Sequence, residues 1–364
     1  SYVLTLDRNI QAQAERYLKE GVEKVRAKSG SVVIIDPSNG SVKALANFPT
    51  YDPNSYSSVR DYGLFSNPVV SNQFEPGSGF KVFTMAAGLD SGKVKPDTSY
   101  DDTGAVELEG RTIRNADNHR FGQQTMAEVI QKSLNTGVIF VLRSLGGDAG
   151  KITLAGKRVL HQYVTKQFGF GVATGIEQTG EAAGAVNRPN NQRGNDVNYA
   201  NMTFGQGVSV TMIQMAAATA AIANGGKLYQ PRLIDEVIAP GQTAQAVAPK
   251  LVNDKVISPE VARQLTDMMV LVVEKGSGYA TKIPGYKVAG KTGTAQIPRA
   301  DGKGYEEGKN IGSFVGFAPA SNPRFVMMVR INEPQVKGFA EATTVPVFGD
   351  IAKWLLHYYA VPPQ

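Results

Sequence analysis

With 364 residues, no cysteine and three histidines, the chain excludes thiol catalysis, thiolate metal sites and a disulfide framework. Its formal net charge of +6 is modest, and the 38 lysines and arginines are scattered rather than gathered into basic, aromatic-interleaved runs, so no nucleic-acid partner is expected. Hydrophobic content of 42% against 19% charged residues is that of an ordinary globular protein, long enough for a large α/β domain with a lobe attached. No apolar run reaches the roughly 18 residues of a membrane span and no signal peptide opens the chain. The expectation is a domain whose export or anchor segment lies upstream, and the absence of cysteine is compatible with an extracytoplasmic compartment.

Residues 1–7 read as a strand entering a helix cap. Asp7 caps a predicted helix running to about Arg26, with Ile10, Ala14, Leu18, Val22 and Val25 at helical spacing. Ser31 to Asp36 and Ser41 to Ala46 are β-branched runs around a turn, Asp36-Pro37-Ser38-Asn39-Gly40. The stretch from Phe80 to Glu274 is mostly helical, most clearly over 125–134, 159–168, 211–224 and 258–274. Three more strands follow at 288–297, 313–318 and 325–331, and residues 298–310, rich in Gly, Lys and Glu, read as a loop beside the first of them. A helix over 345–359 closes the chain, with Phe348, Ile351, Leu355 and Tyr358 on one face. The fold class expected is α/β (α+β): a five-stranded antiparallel sheet flanked by the terminal helices. A helical lobe (about 80–274) is inserted in a sheet subdomain (about 1–79 and 275–364), and the site lies in the seam between them.

Three short motifs carry chemistry, in the order Ser78-Gly79-Phe80-Lys81, Ser133-Leu134-Asn135 and Lys291-Thr292-Gly293. Ser78 follows Glu75-Pro76-Gly77, a turn that delivers it to a helix N-terminus, where backbone N–H groups favour developing negative charge. Lys81, three residues on, shares its helix face. A serine hydroxyl is a weak nucleophile that needs a base, and a lysine serves only if its pKa falls several units from about 10.4. Burial and a second cation both act in that direction, and Lys291 is the natural second cation. Ser-His-Asp chemistry is not an option, because His119, His161 and His357 stand near no plausible nucleophile. Taken singly, each motif has a plain reading: a capping serine with a surface lysine, a polar helix end, an edge strand of small residues. Gly290 and Gly293 mark close backbone approach. Thr292 and Thr294 share a strand face and can hold a carboxylate. Strict alternation puts Lys291 on the opposite face, and the spacing leaves open whether its stem bends round the strand.

In this order the motifs are the signature of serine acyltransferases acting on peptidoglycan or β-lactams. The chain resembles the transpeptidase domain of class B penicillin-binding proteins along nearly all its length. The resemblance extends through 74–78, 204–211, 223–226, 290–296 and 313–319, and Ile331-Asn332-Glu333-Pro334 resembles the division-type branch. It implies that Ser78 attacks the D-Ala–D-Ala carbonyl of a donor stem peptide and that Lys81 accepts its proton. Ser133 and Lys291 would complete the relay, and Asn135 would hold the substrate amide. Thr292, Gly293 and Thr294 would bind the donor or a β-lactam, the N–H groups of Ser78 and Thr294 forming the oxyanion hole, and an acceptor amine would resolve the acyl-enzyme. No cofactor or metal is implied. In the full-length protein, an upstream transmembrane anchor, a glycosyltransferase and divisome partners are implied. Gly79 departs from the family's usual threonine. The alternatives are a serine β-lactamase and a non-catalytic β-lactam sensor. Against the lactamase, none of Glu177, Glu181, Glu236, Glu260 and Glu274 begins the Glu-x-x-x-Asn element that activates the deacylating water in one lactamase type.

Overall fold

The computed structural model describes residues 1–190, 194–299, 304–336 and 338–363. Asp7 caps α1 (Arg8–Lys24), its carboxylate accepting from the N–H groups of Asn9 and Ile10 at 2.9 and 3.1 Å. Ile10, Ala14, Leu18 and Val22 form its buried stripe, at the spacing the sequence predicts. β1 (Ser29–Ile35) and β2 (Val42–Phe48) follow as the expected hairpin. Near the other end lie β3 (Ala289–Pro298), β4 (Tyr305–Ala318) and β5 (Phe325–Asn332). The sheet is antiparallel throughout, in the order β3-β4-β5-β1-β2. The β5–β1 pair, with Met328 opposite Val33 and Val329 opposite Val32, joins the two ends of the chain.

Period-two alternation sends the two sides of these strands into different cores. Val32, Ile34, Phe314, Met327 and Val329 pack with α1 and with the closing helix, Ala340–Tyr358. Val33, Ile35, Val315, Phe317 and Met328 join the larger core built with the intervening helices. Those are α2 (Lys81–Asp90), α3 (Met126–Lys132), α4 (Asn135–Leu145), α5 (Leu154–Gln162), α6 (Asp196–Met202), α7 (Met212–Ala223) and α8 (Pro259–Lys275), and the closing helix is α9. Ser258 caps α8 ahead of Pro259, and Thr211 caps α7 in a capping box with Gln214. Among the described residues no helix is long and apolar enough to cross a membrane.

Several boundaries differ from the sequence reading. The expected loop over 298–310 is largely strand: β4 begins at Tyr305, opposite Pro298, and pairs Asn310 with Gln296. Glycine, lysine and glutamate are poor strand formers, but a ladder partner decides the matter here. Residues 300–303 lie outside the described residues. Helix α4 has no counterpart in the sequence reading, because one left-handed residue separates it from α3. Ser133, at φ 59° and ψ 47°, ends α3 and redirects the chain. Helix α5 with the π-helical turn after it covers 154–167 rather than 159–168. Helix α9 starts five residues before 345 and carries Pro346 inside it. Its Phe348, Ile351 and Leu355 are buried, but Tyr358 is exposed and stacks on Trp354. The strand expected at the N-terminus, Tyr2–Leu4, pairs with Ile234–Val237 outside the main sheet.

Candidate active site

Gly77–Phe80 is a single 3₁₀ turn that runs directly into α2, with Ser78 half-buried at its start and Lys81 opening the α-helix. The approach to that turn is anchored on both sides. Phe74 exchanges backbone hydrogen bonds with Val210 at 2.9 and 3.0 Å. The Glu75 carboxylate accepts from Gly207 N at 2.8 Å and from the Tyr305 hydroxyl at 3.1 Å. Gly77, at φ 55°, donates its N–H to Gly205 O at 3.1 Å, and a Cβ there would collide with Thr294 O. A Cβ on Gly293 would sit 2.6 Å from Pro76 O. These two glycines let the nucleophile turn lie backbone-to-backbone against β3, the edge strand of the sheet. Gly293 therefore faces the turn, while Thr292 and Thr294 line the cleft.

Two lysines converge on one hydroxyl. Lys81 Nζ donates to the Ser133 carbonyl and, at 3.1 Å, to Ser133 Oγ. Lys291 Nζ reaches the same Oγ at 3.0 Å and also donates to Thr292 O and Oγ1 at 3.3 and 3.4 Å. The Lys291 stem does bend round β3, which answers the question that alternation left open. Both side chains are fully buried, at 1% and 0% exposure. Burial, and then the charge of Lys291, push Lys81 well below the usual lysine range. Burial brings Lys291 down to about 8, with Glu341 pulling the other way. Two buried cations that share a partner titrate as a pair, and loss of a proton from one relieves the other. Ser133 is presented to both by its left-handed backbone, a conformation that costs a non-glycine residue of order 1 kcal/mol.

Asn135 opens α4 and donates through Nδ2 to Arg114 O at 2.7 Å, tying the second motif to a small hairpin above it. Of the eight predicted site residues, six line one cleft, Lys291 reaches it from below through Ser133, and Gly293 faces the nucleophile turn. The cleft, about 880 Å³, is lined by Ser78, Lys81, Ser133, Asn135, Thr292 and Thr294 among others. The sequence reading missed Ser277, whose Oγ lies 2.6 Å from Thr292 Oγ1 and which also lines the cleft. Its signal was there: Gly276-Ser277-Gly278 is a small-residue break between α8 and β3. The hairpin formed by Ala105–Leu108 and Arg111–Arg114 was missed as well. Among the described residues no group of three His, Asp or Glu side chains is placed to hold a metal.

Comparison with known proteins agrees with this arrangement. Residues 30–353 match the penicillin binding protein transpeptidase domain. Stage V sporulation protein D of Bacillus subtilis is 37% identical over 368 residues, which is 99% of this chain and 54% of that protein. Peptidoglycan D,D-transpeptidase FtsI of Escherichia coli K12 is 33% identical over 363 residues, 99% of this chain and 57% of that protein. The chain spans about half the length of these curated relatives. The crystal structure of penicillin binding protein 3 from Mycobacterium tuberculosis, complexed with aztreonam, superposes with a TM-score of 0.89 at 30% identity. That match covers 100% of this chain and 80% of the other. On sequence, sheet topology and motif placement together, the chain belongs to the penicillin-binding protein transpeptidase domain family, in its class B branch.

Proposed function

We propose that this chain is a peptidoglycan D,D-transpeptidase domain that works through a Ser78 acyl-enzyme and is acylated by β-lactams at the same residue. The observation that carries the reading is the pair of buried lysines meeting at Ser133 Oγ beside Ser78. Ser78 Oγ attacks the carbonyl carbon of the penultimate D-Ala, and its proton passes to neutral Lys81. A neutral amine keeps two N–H donors for Ser133 and one lone pair for that proton. As the C–N bond breaks, the proton moves through Ser133 to the leaving amine and the terminal D-Ala departs. An acceptor amine then attacks the ester carbonyl, returns a proton along the same path and frees Ser78. Backbone N–H groups of Ser78 and Thr294, held together by the Gly77 contact, face the developing oxyanion. The open edge of β3 can pair with an extended stem, while Thr292, Thr294 and Ser277 offer hydroxyls to its terminal carboxylate.

Slow hydrolysis separates this reading from the lactamase. Glu177 accepts from Leu233 N at 2.7 Å, and Glu181 accepts from Thr174 and Gly175, so both are occupied away from the cleft. The finer reading divides the chain into a sheet subdomain (about 1–79 and 275–364) and a helical lobe (about 80–274). It also makes the full-length protein an extracytoplasmic, membrane-anchored one working with a glycosyltransferase and division proteins, on the resemblance at 331–334. The test is intact mass after exposure to a labelled penicillin, followed over hours, with peptide mapping. One adduct on Ser78 that persists for many minutes, and none on Ser78→Ala, is the expected result. Rapid turnover without an adduct, stimulated by bicarbonate, would overturn it in favour of a lactamase with a carboxylated lysine.

A further inference from the structure

The cleft also carries charge that acyl transfer does not use. Arg111 and Arg114, on the second strand of the small hairpin, and Lys275, at the end of α8, line the same cavity as Ser78. Among the described residues none of the three makes an ion pair. Lys132 shows the contrast: it lines the cleft too, but Glu128 holds it at 3.1 Å. The hairpin's own Glu107 takes the Thr112 hydroxyl. Against these cations the described lining holds a single carboxylate, Glu341.

The hairpin is fixed in place. Asp102, fully buried, accepts from Asn115 Nδ2 at 2.9 and 3.1 Å, from Thr136 Oγ1 at 2.7 Å and from the N–H groups of Gly104 and Phe121 at 3.0 Å. Thr136 lies in the first turn of α4, and Asn135 beside it holds Arg114 O. The strand that carries Arg111 and Arg114 along the cleft is therefore clamped to the same helix start that places the Ser133-Leu134-Asn135 motif.

We infer that this wall of the cleft recognises a second carboxylate of the stem peptide, so that stems with free side-branch carboxylates are preferred to amidated ones. The inference rests on the transpeptidase reading above. The terminal carboxylate has its own hydroxyl partners on β3, so the hairpin cations answer to a different anion. A guanidinium fork matches a carboxylate in two-point geometry and gains little from a neutral amide. The carboxylate belongs either to the donor stem or to the acceptor stem, and the chemistry of recognition is the same for both.

The experiment compares the wild-type chain with the Arg111→Ala/Arg114→Ala double variant. The probes are a simple penicillin and synthetic stem pentapeptides ending in D-Ala–D-Ala, with side-branch carboxylates free or amidated. Roughly tenfold higher kcat/KM for the free-carboxylate stem is expected in the wild type, falling with added salt. In the double variant this preference should collapse to near one, while penicillin acylation stays within about twofold. Preference in the acylation half-reaction assigns the carboxylate to the donor, and preference that shows only when the acceptor is varied assigns it to the acceptor. An Arg111→Lys/Arg114→Lys variant should recover part of the preference. The inference is overturned if the wild type does not discriminate, if the preference survives in the double variant, or if that variant loses penicillin acylation in proportion. Failure of the wild type to form any Ser78 adduct would overturn the transpeptidase reading instead.

Discussion

Lysines buried at the candidate site and lysines on the outer surface of this protein live by opposite rules. Lys282 and Lys309 lie at the surface beside acids, Lys282 against Glu274 and Lys309 against Glu306 at 3.0 Å and Glu333 at 3.5 Å, and these hydrogen bonds hold their protons more firmly than usual. Lys81 and Lys291 are buried, and their partners are hydroxyls and carbonyls, none of which can compensate a full positive charge. The same side chain is thus held charged by acids in one region and pressed toward neutrality in the other. Arg330 marks the limit of the rule. It is buried behind the nucleophile turn with its guanidinium 4.9 Å from the Phe74 ring centroid, and burial lowers it only to about 10. It therefore keeps its charge at neutral pH, where the same burial works against a lysine far more effectively.

The largest effects come from removing these two amines. Lys81→Met should slow penicillin acylation by roughly 10²- to 10⁴-fold, the range a positioned base contributes. Lys291→Met should act through pH. On the proposed mechanism acylation requires neutral Lys81 and so rises with pH through its lowered pKa. Removing the neighbouring charge raises that pKa, which should move the rising limb of the acylation rate to higher pH. An unmoved limb would leave burial as the sole cause. The same variant carries an opposite sign in stability. A lysine held at about 8 when folded, against 10.5 when unfolded, binds fewer protons in the native state between those values. Its penalty is therefore full below about pH 8 and fades as pH approaches 10.5. Lys291→Met should accordingly be more stable than the parent at pH 7, by up to about 3 kcal/mol. That advantage should shrink by pH 10, as thermal unfolding at the two pH values would show.

A smaller effect tests the carboxylate end of the same strand. Ser277→Ala removes the 2.6 Å partner of Thr292 Oγ1 and one hydroxyl from the cleft. One net hydrogen bond is worth about 1 kcal/mol, so second-order acylation by carboxylate-bearing penicillins should fall roughly fivefold. Its pH profile should stay where it was, because neither amine loses a partner. A shifted profile would mean that Ser277 belongs to the proton relay and not to ligand capture.

Much of this was legible in the chain because local chemistry repeats itself in three dimensions. The stripe of α1, the β1–β2 hairpin and the Pro259 start of α8 are each set by residues within a few positions of one another. The motif residues were legible because their residue types have few other reasons to recur in that order. What the sequence concealed depends on long-range contacts. Helix α4 is hidden by one left-handed serine, and the strand over 305–310 forms only because β3 lies beside it. Ser277 is unremarked until Thr292 is set against it. Arg111 and Arg114 look like surface charges until the Asp102 network fixes their hairpin above Asn135.

The smallest expected effect concerns Gly79, where the sequence departs from the family's usual threonine. Gly79 is buried within the 3₁₀ turn, its φ is not in the left-handed region, and a Cβ there would meet Met215 Cε at 3.5 Å, an ordinary contact. Gly77 and Gly293, by contrast, would drive a Cβ into backbone, and the turn's position depends on them. Position 79 is therefore free of the constraint that fixes its neighbours. Alanine there should limit the unfolded chain without disturbing the turn, which stabilises by about 0.4–1 kcal/mol at compatible sites. Gly79→Ala should raise the unfolding midpoint by a few degrees at most and leave the penicillin acylation rate within about twofold, since no group that moves a proton changes its surroundings. A tenfold loss of acylation with stability retained would show that the missing side chain matters to how Ser78 is presented.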